Sequence, residues 1–279
     1  MWWKVSEVRI AGLLRKLKEY MGLERSKTLA VYWLYAAAVA LAELLTAFWS
    51  IKLGFFVHLS LTGLLLAHSA RSSRHGKPWL YLALSLAPLI RVVSLSIPLA
   101  GISPILWYVA ISVPLFASGV IVARILGFRS HDVGLTCVNL PMQFLIALAG
   151  LPLGFIEYSV SLPAPVIIQS ATGNIWLSAI VLVVCTGFLE EFIFRGIMYS
   201  AAVKAAGERF ALFFASSVFT IMHITQLSFS GLLFVFMVSL LFTRVYAWQG
   251  SILGLSLAHG IINIAFYIVC PLDPYLSSW

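Results

Sequence analysis

The sequence predicts an all-α fold: a polytopic transmembrane helical bundle of eight or nine membrane helices around a cavity inside the membrane. Three observations carry that prediction. Of 279 residues, 61% are hydrophobic and only 10% are charged, whereas a soluble domain is nearer half apolar and a quarter charged. The mean hydropathy is +1.00. The apolar residues form continuous runs of about 20 residues, the length that crosses a bilayer core at 1.5 Å rise per residue. Continuous runs disfavour an outer-membrane barrel, whose strands alternate apolar and polar positions. The composition also excludes an ordinary soluble domain, a disordered chain and a fibrous repeat.

The elements follow in chain order. Residues 1–28 carry Lys4, Arg9, Arg15, Lys16, Lys18, Arg25 and Lys27 against Glu7, Glu19 and Glu24. Val5, Val8, Leu13, Leu14 and Leu17 are spaced as on one helix face, so this segment reads as a basic amphipathic helix on the cytoplasmic membrane surface. Its charges continue where the apolar stretch of a signal peptide would lie. Apolar runs then cover 29–49, 53–70, 79–100, 104–126, 138–157, 175–202, 210–227, 231–248 and 251–270. Residues 29–70 can form one hairpin, or a span with a re-entrant piece, which leaves the count at eight or nine. Residues 29–170 are the N-terminal transmembrane helices, and 171–279 are the transmembrane core that carries the chemistry.

The net charge is +8. Its cations sit in short loops, so the basic balance reads as orientation against an anionic leaflet and not as affinity for nucleic acid. With the N-terminus cytoplasmic, the next inner loops hold Arg71, Arg74 and Lys77, then Arg124 and Arg129, then Lys204 and Arg209. The outer loops near 101–103, 158–174 and 228–230 hold no Lys or Arg, and Lys52 is the exception, in a short outer turn. The expected location is a multi-pass integral membrane protein, in the cell membrane of a prokaryote or the endoplasmic reticulum of a eukaryote. Cys137, Cys185 and Cys270 are far apart and lack a CxxC pair. They imply neither a disulfide framework nor a zinc knuckle, and Cys185 reads as a small core residue.

Ionisable residues inside spans are costly, which makes each one a functional candidate. They are Glu43, His58, His68, Arg91, Glu190, Glu191, Arg195, His223, Arg244 and His259. Arg91 can pair with Glu43 or line the cavity to bind a substrate carboxylate, with the structural pair the better reading. His58 and His68 read as structural, and Arg244 as snorkelling to the inner surface.

The densest group runs from Gly187 to Gly196. Glu191 and Arg195 are i,i+4 and share a helix face, so they can form an ion pair. Glu190 points about 100° away, free for proton transfer. Phe219 and His223 are likewise i,i+4, and so are His259 and Asn263, with Gly260 allowing close helix approach. Glu190 and His223 each lie roughly 20 Å from the inner ends of their helices, and His259 and Asn263 about 12–18 Å, a shared depth. These types form a hydrolytic set. A carboxylate beside an imidazole can deprotonate water, while Asn and a second His can stabilise an oxyanion. Glu190, His223 and His259 can instead hold a divalent metal such as zinc, whose bound water becomes the nucleophile. The cofactor, none or a metal, stays open at this level. HExxH, GxSxG and paired membrane aspartates are absent.

Glu-Glu-x3-Arg, then Phe-x3-His, then His-x3-Asn on successive membrane helices resembles the CPBP intramembrane protease family. That family is also called the Abi family and includes the type II CAAX prenyl endopeptidases. Glu-Glu-Phe-Ile-Phe-Arg-Gly and the Gly250-Ser-Ile ahead of His259 add to the resemblance, which covers about residues 175–270. It implies a helical bundle with a conical catalytic cavity open to the cytosol and the bilayer. Carried over, it implies Glu190 as general base assisted by His223, and His259 and Asn263 as catalytic oxyanion donors. Glu191, Arg195 and Phe219 would then support the site. The implied activity is that of an intramembrane endopeptidase, cutting near the C-terminus of a prenylated CAAX-type or other membrane-associated protein. Two rivals remain: a non-catalytic scaffold or bacteriocin-immunity protein of the same fold, and a proton-coupled transporter. The motif residues are all present, which weighs against the first; inverted repeats are lacking, which weighs against the second.

Overall fold

The computed structural model describes residues 26–73, 79–97, 101–161 and 175–272. The basic amphipathic helix expected over 1–28 lies almost wholly outside them. Among the described residues the chain is helical, with no strand. Nine apolar helices follow the expected runs. We label them α1 (Ser26–Phe48), α2 (Ile51–Ser73), α3 (Leu80–Ser96), α4 (Pro104–Ile125), α5 (Leu140–Ser161), α6 (Ile175–Ala206), α7 (Glu208–Ile221), α8 (Phe229–Gln249) and α9 (Leu253–Val269). Six of them are long and apolar enough to cross a membrane; α3, α7 and α9 are shorter.

Local chemistry sets the ends. Ser103 caps α4 by accepting from the Leu106 amide, Asn139 caps α5 through Met142, and Ser228 caps α8 through Gly231, each satisfying a donor that the first turn leaves unpaired. Gly250 ends α8 at φ 66°, a left-handed conformation that costs glycine little.

Two boundaries differ from the sequence reading. Helix α5 runs on to Ser161, which puts Glu157 inside a helix instead of at the edge of a loop. The run 210–227 breaks at Ile221, so His223 sits in a turn beyond α7. Here the His223, Gln226 and Leu227 amides bond back three residues, to Thr220, His223 and Ile224, where the apolar composition alone suggested a continuous helix.

Helix α6 is the centre of the bundle. In its span 56% of residues are buried inside the protein, against 22–33% in the other five long spans. The rest of those spans present large apolar side chains outward, such as Leu34, Phe48, Phe144 and Phe229, as lipid-facing helices do. Helix α9 lies between α5 and α6 on contacts that only glycine permits. A Cβ on Gly187 would sit 2.7 Å from Ser256 O, and one on Gly260 2.7 Å from Val183 Cα. On the other side, a Cβ on Gly150 would come within 2.4 Å of Ala258 O. Small residues of this kind let membrane helices pack backbone to backbone.

The α4–α5 connection is clasped to the α8–α9 turn. Ile252 donates its amide to Gly134 O at 3.0 Å, Thr136 its hydroxyl to Gly250 O at 2.9 Å, and Ser251 to Thr136 O at 2.8 Å. This fixes the axial register of α9, and with it the height of His259 and Asn263.

Candidate active site

Helix α6 changes its winding twice around the paired glutamates. It is π-helical over Leu182–Phe188, α-helical over Leu189–Glu191, and π-helical again over Phe192–Tyr199. Such wide turns recur at functional sites because they re-aim side chains. Within this frame Glu191 and Arg195 form the expected pair, Arg195 Nη1 donating to Glu191 Oε1 at 2.9 Å, both side chains buried. Arg195 Nη2 also donates to Ser239 Oγ on α8 at 2.9 Å. Its guanidinium lies 4.3 Å from the centre of the Phe219 ring, an arrangement favourable for a desolvated cation.

Phe219 is the hub of the site. Its ring centre is 4.6 Å from that of His223 and 5.9 Å from that of His259. The imidazoles have distinct partners. His223 Nδ1 lies 2.8 Å from Phe219 O. A carbonyl only accepts, so Nδ1 carries the proton and neutral His223 presents Nε2 as an acceptor. His259 Nδ1 donates to Glu191 Oε1 at 2.9 Å, and its Nε2 stands 3.8 Å from Glu190 Oε2. Asn263 donates from Nδ2 to Thr186 Oγ1 at 2.8 Å, and Thr186 in turn donates to Leu182 O.

Glu190 and Glu191 are thus unlike. Glu191 is fully buried, while Glu190 keeps 30% of its side chain exposed to a cavity of about 90 Å³. That volume holds several water molecules. Glu190, His223, His259, Asn263, Glu191, Arg195 and Phe219 all line it. Residues 172–265 match the family described as type II CAAX prenyl endopeptidase Rce1-like. No curated protein and no solved structure matches the chain. The matched segment contains every residue of the three motifs, and the family that it matches is one of proteases.

The cavity also holds residues that the sequence reading passed over. Glu157, Tyr108 and Tyr267 line it, and Glu157 is close enough to interact electrostatically with His259 and Glu190. Glu157 escaped notice because the expected span stopped at that residue, which made it read as a helix end and not as an intramembrane carboxylate. The imidazole nearest Glu190 is His259, where the resemblance assigned the assisting role to His223. Cys185, expected in the core, is only half-buried and borders a second cavity. Among the described residues no three His, Cys, Asp or Glu side chains are grouped as a metal site requires. His223 and His259 each have one ring nitrogen held, by Phe219 O and by Glu191, and both rings line the cavity with Glu190.

Proposed function

We propose that the Rce1-like core is an intramembrane endopeptidase that cleaves near the C-terminus of a prenylated CAAX-type or similarly membrane-associated protein, with Glu190 as general base. The observation that carries this reading is the unequal use of the two glutamates. Glu191 is spent on Arg195 and His259, whereas Glu190 faces a cavity that holds several waters, with no such clamp.

In the proposed reaction Glu190 takes a proton from water, and the oxygen attacks the scissile carbonyl carbon. His223 Nε2 accepts a hydrogen bond from the same water and orients it. The oxyanion of the tetrahedral intermediate is held by the second Nδ2 hydrogen of Asn263 and by His259 Nε2–H. That donor exists only in the imidazolium, whose charge balances Glu190 and Glu191 against Arg195. Collapse breaks the C–N bond, and the proton on Glu190 passes to the leaving amine. A cavity within the bilayer suits a lipid-linked peptide, since the prenyl chain stays in lipid while the peptide reaches Glu190.

The test uses purified protein in nanodiscs and a farnesylated CAAX peptide with a fluorophore quenched across the cleaved bond. Cleavage by wild type, lost in Glu190→Ala and His223→Ala, is the expected result, with a chelator arm to decide metal dependence. Intact peptide with folded wild type would overturn the CAAX assignment.

A further inference from the structure

A second cluster of buried charge lies outside the Rce1-like segment. Glu43 on α1 is fully buried. Arg91 on α3 grips it with a fork, Nε to Oε1 at 2.9 Å and Nη2 to Oε2 at 2.7 Å. His58 on α2 brings Nε2 to 3.4 Å from Oε1. The pair so far reads as a clamp between helices.

Arg91 does more than hold Glu43. Its Nη2 also donates to Met222 O at 3.0 Å and lies 3.2 Å from Thr225 Oγ1. These acceptors flank His223 on either side. Helix α7 has just ended there, so the Met222 carbonyl has no helical partner of its own, and it sits at the negative end of the helix dipole. A cation at that end is the favourable charge.

We propose that Arg91, held in place by Glu43, is a positioning residue for His223: it caps α7 and fixes the turn that presents the imidazole to Glu190. The inference deepens the protease reading and rests on it for the rate measurements alone. Without the guanidinium, the turn of Met222–Thr225 keeps only the His223–Phe219 and local backbone bonds. Glu43 is what makes an arginine tolerable at this depth, since an unpaired one is costly inside a bundle. Arg91, Glu190 and His223 also border a common cavity of about 230 Å³, so a small cation can enter where the side chain is removed.

The experiment compares wild type with Arg91→Lys, Arg91→Ala and Thr225→Val in nanodiscs. The first readout is kcat and KM on the farnesylated peptide. The second is the rate at which diethyl pyrocarbonate modifies His223, followed by mass spectrometry, which needs no substrate. Arg91→Ala is expected to lower kcat roughly 100-fold at near-constant KM, the scale of a 1 Å misplacement, with partial recovery in millimolar guanidinium. Arg91→Lys keeps the charge but not the fork, and falls in between. Thr225→Val leaves the ion pair intact and still changes the His223 modification rate severalfold. The proposal is overturned if Arg91→Lys and Thr225→Val leave His223 reactivity at the wild-type rate, whatever happens to the melting temperature. If wild type cleaves no peptide, the protease reading falls and the His223 reactivity decides this inference alone.

Discussion

His259 donates its Nδ1 proton to Glu191 Oε1 at 2.9 Å, the same oxygen that Arg195 holds at 2.9 Å. One carboxylate oxygen therefore joins α6 to α9 and fixes the imidazole, whose other nitrogen faces Glu190 at 3.8 Å. Adjacent glutamates acquire separate tasks from this arrangement, one structural and one open to the cavity.

Substituting the two glutamates should give opposite profiles. Glu190→Gln is expected to lower kcat by about 10²–10⁴, the usual share of a general base, with a thermal midpoint near wild type. Glu191→Ala leaves Arg195 buried without its partner and should cost about 3–5 kcal/mol of stability. Initial rates and thermal unfolding of the two purified variants check this; a stable Glu191→Ala protein with normal activity would refute the assignment.

Asn263 is tethered by Thr186, which orients its carboxamide. Asn263→Ala should reduce kcat by about 10²–10³, the loss seen when one oxyanion donor is removed. Thr186→Val removes only the tether, worth about 1 kcal/mol, so a severalfold decrease is expected. Steady-state kinetics on both variants separate donor from tether, and an Asn263→Ala enzyme at full kcat would rule out the oxyanion role.

Phe219 touches Arg195 and both imidazoles through one ring. Phe219→Leu keeps much of the volume but loses the π face, and should cost about 2 kcal/mol for a desolvated cation–π contact. Unfolding in detergent measures the loss. A variant as stable as wild type would mean that Ser239 and Glu191 alone hold Arg195.

The α6–α9 contact predicts which glycines matter. Gly187→Ala and Gly260→Ala place a methyl 2.6–2.8 Å from the facing helix and should lower both the melting temperature and activity. Gly63→Ala on α2 meets nothing within 4 Å and is expected to be neutral or slightly stabilising, as alanine favours helix. Thermal melts of the three variants, ranked the other way, would show that the helices can separate without harm.

Local spacing and hydropathy determined a great deal here. The nine apolar runs were legible from hydropathy, and the Glu191–Arg195 pair because helix pitch brings residues i and i+4 together whatever surrounds them; Phe219 and His223 also meet, although His223 lies in the turn beyond α7. The three motifs were legible from local spacing, one segment at a time. Partners on different helices were not, apart from the Glu43–Arg91 pair. His259 reaches the glutamates, Asn263 reaches Thr186, and Arg91 reaches Met222 across 131 positions, because helix rotation and axial register decide which faces meet. Those are set by backbone-to-backbone packing at Gly187 and Gly260, by the π turns that re-aim α6, and by the clasp that fixes the height of α9. No periodicity in a single chain encodes them, so the residue types of the site and the Glu191–Arg195 pair belong to the sequence, and the meeting of His259 with Glu191 and of Asn263 with Thr186 belongs to the fold.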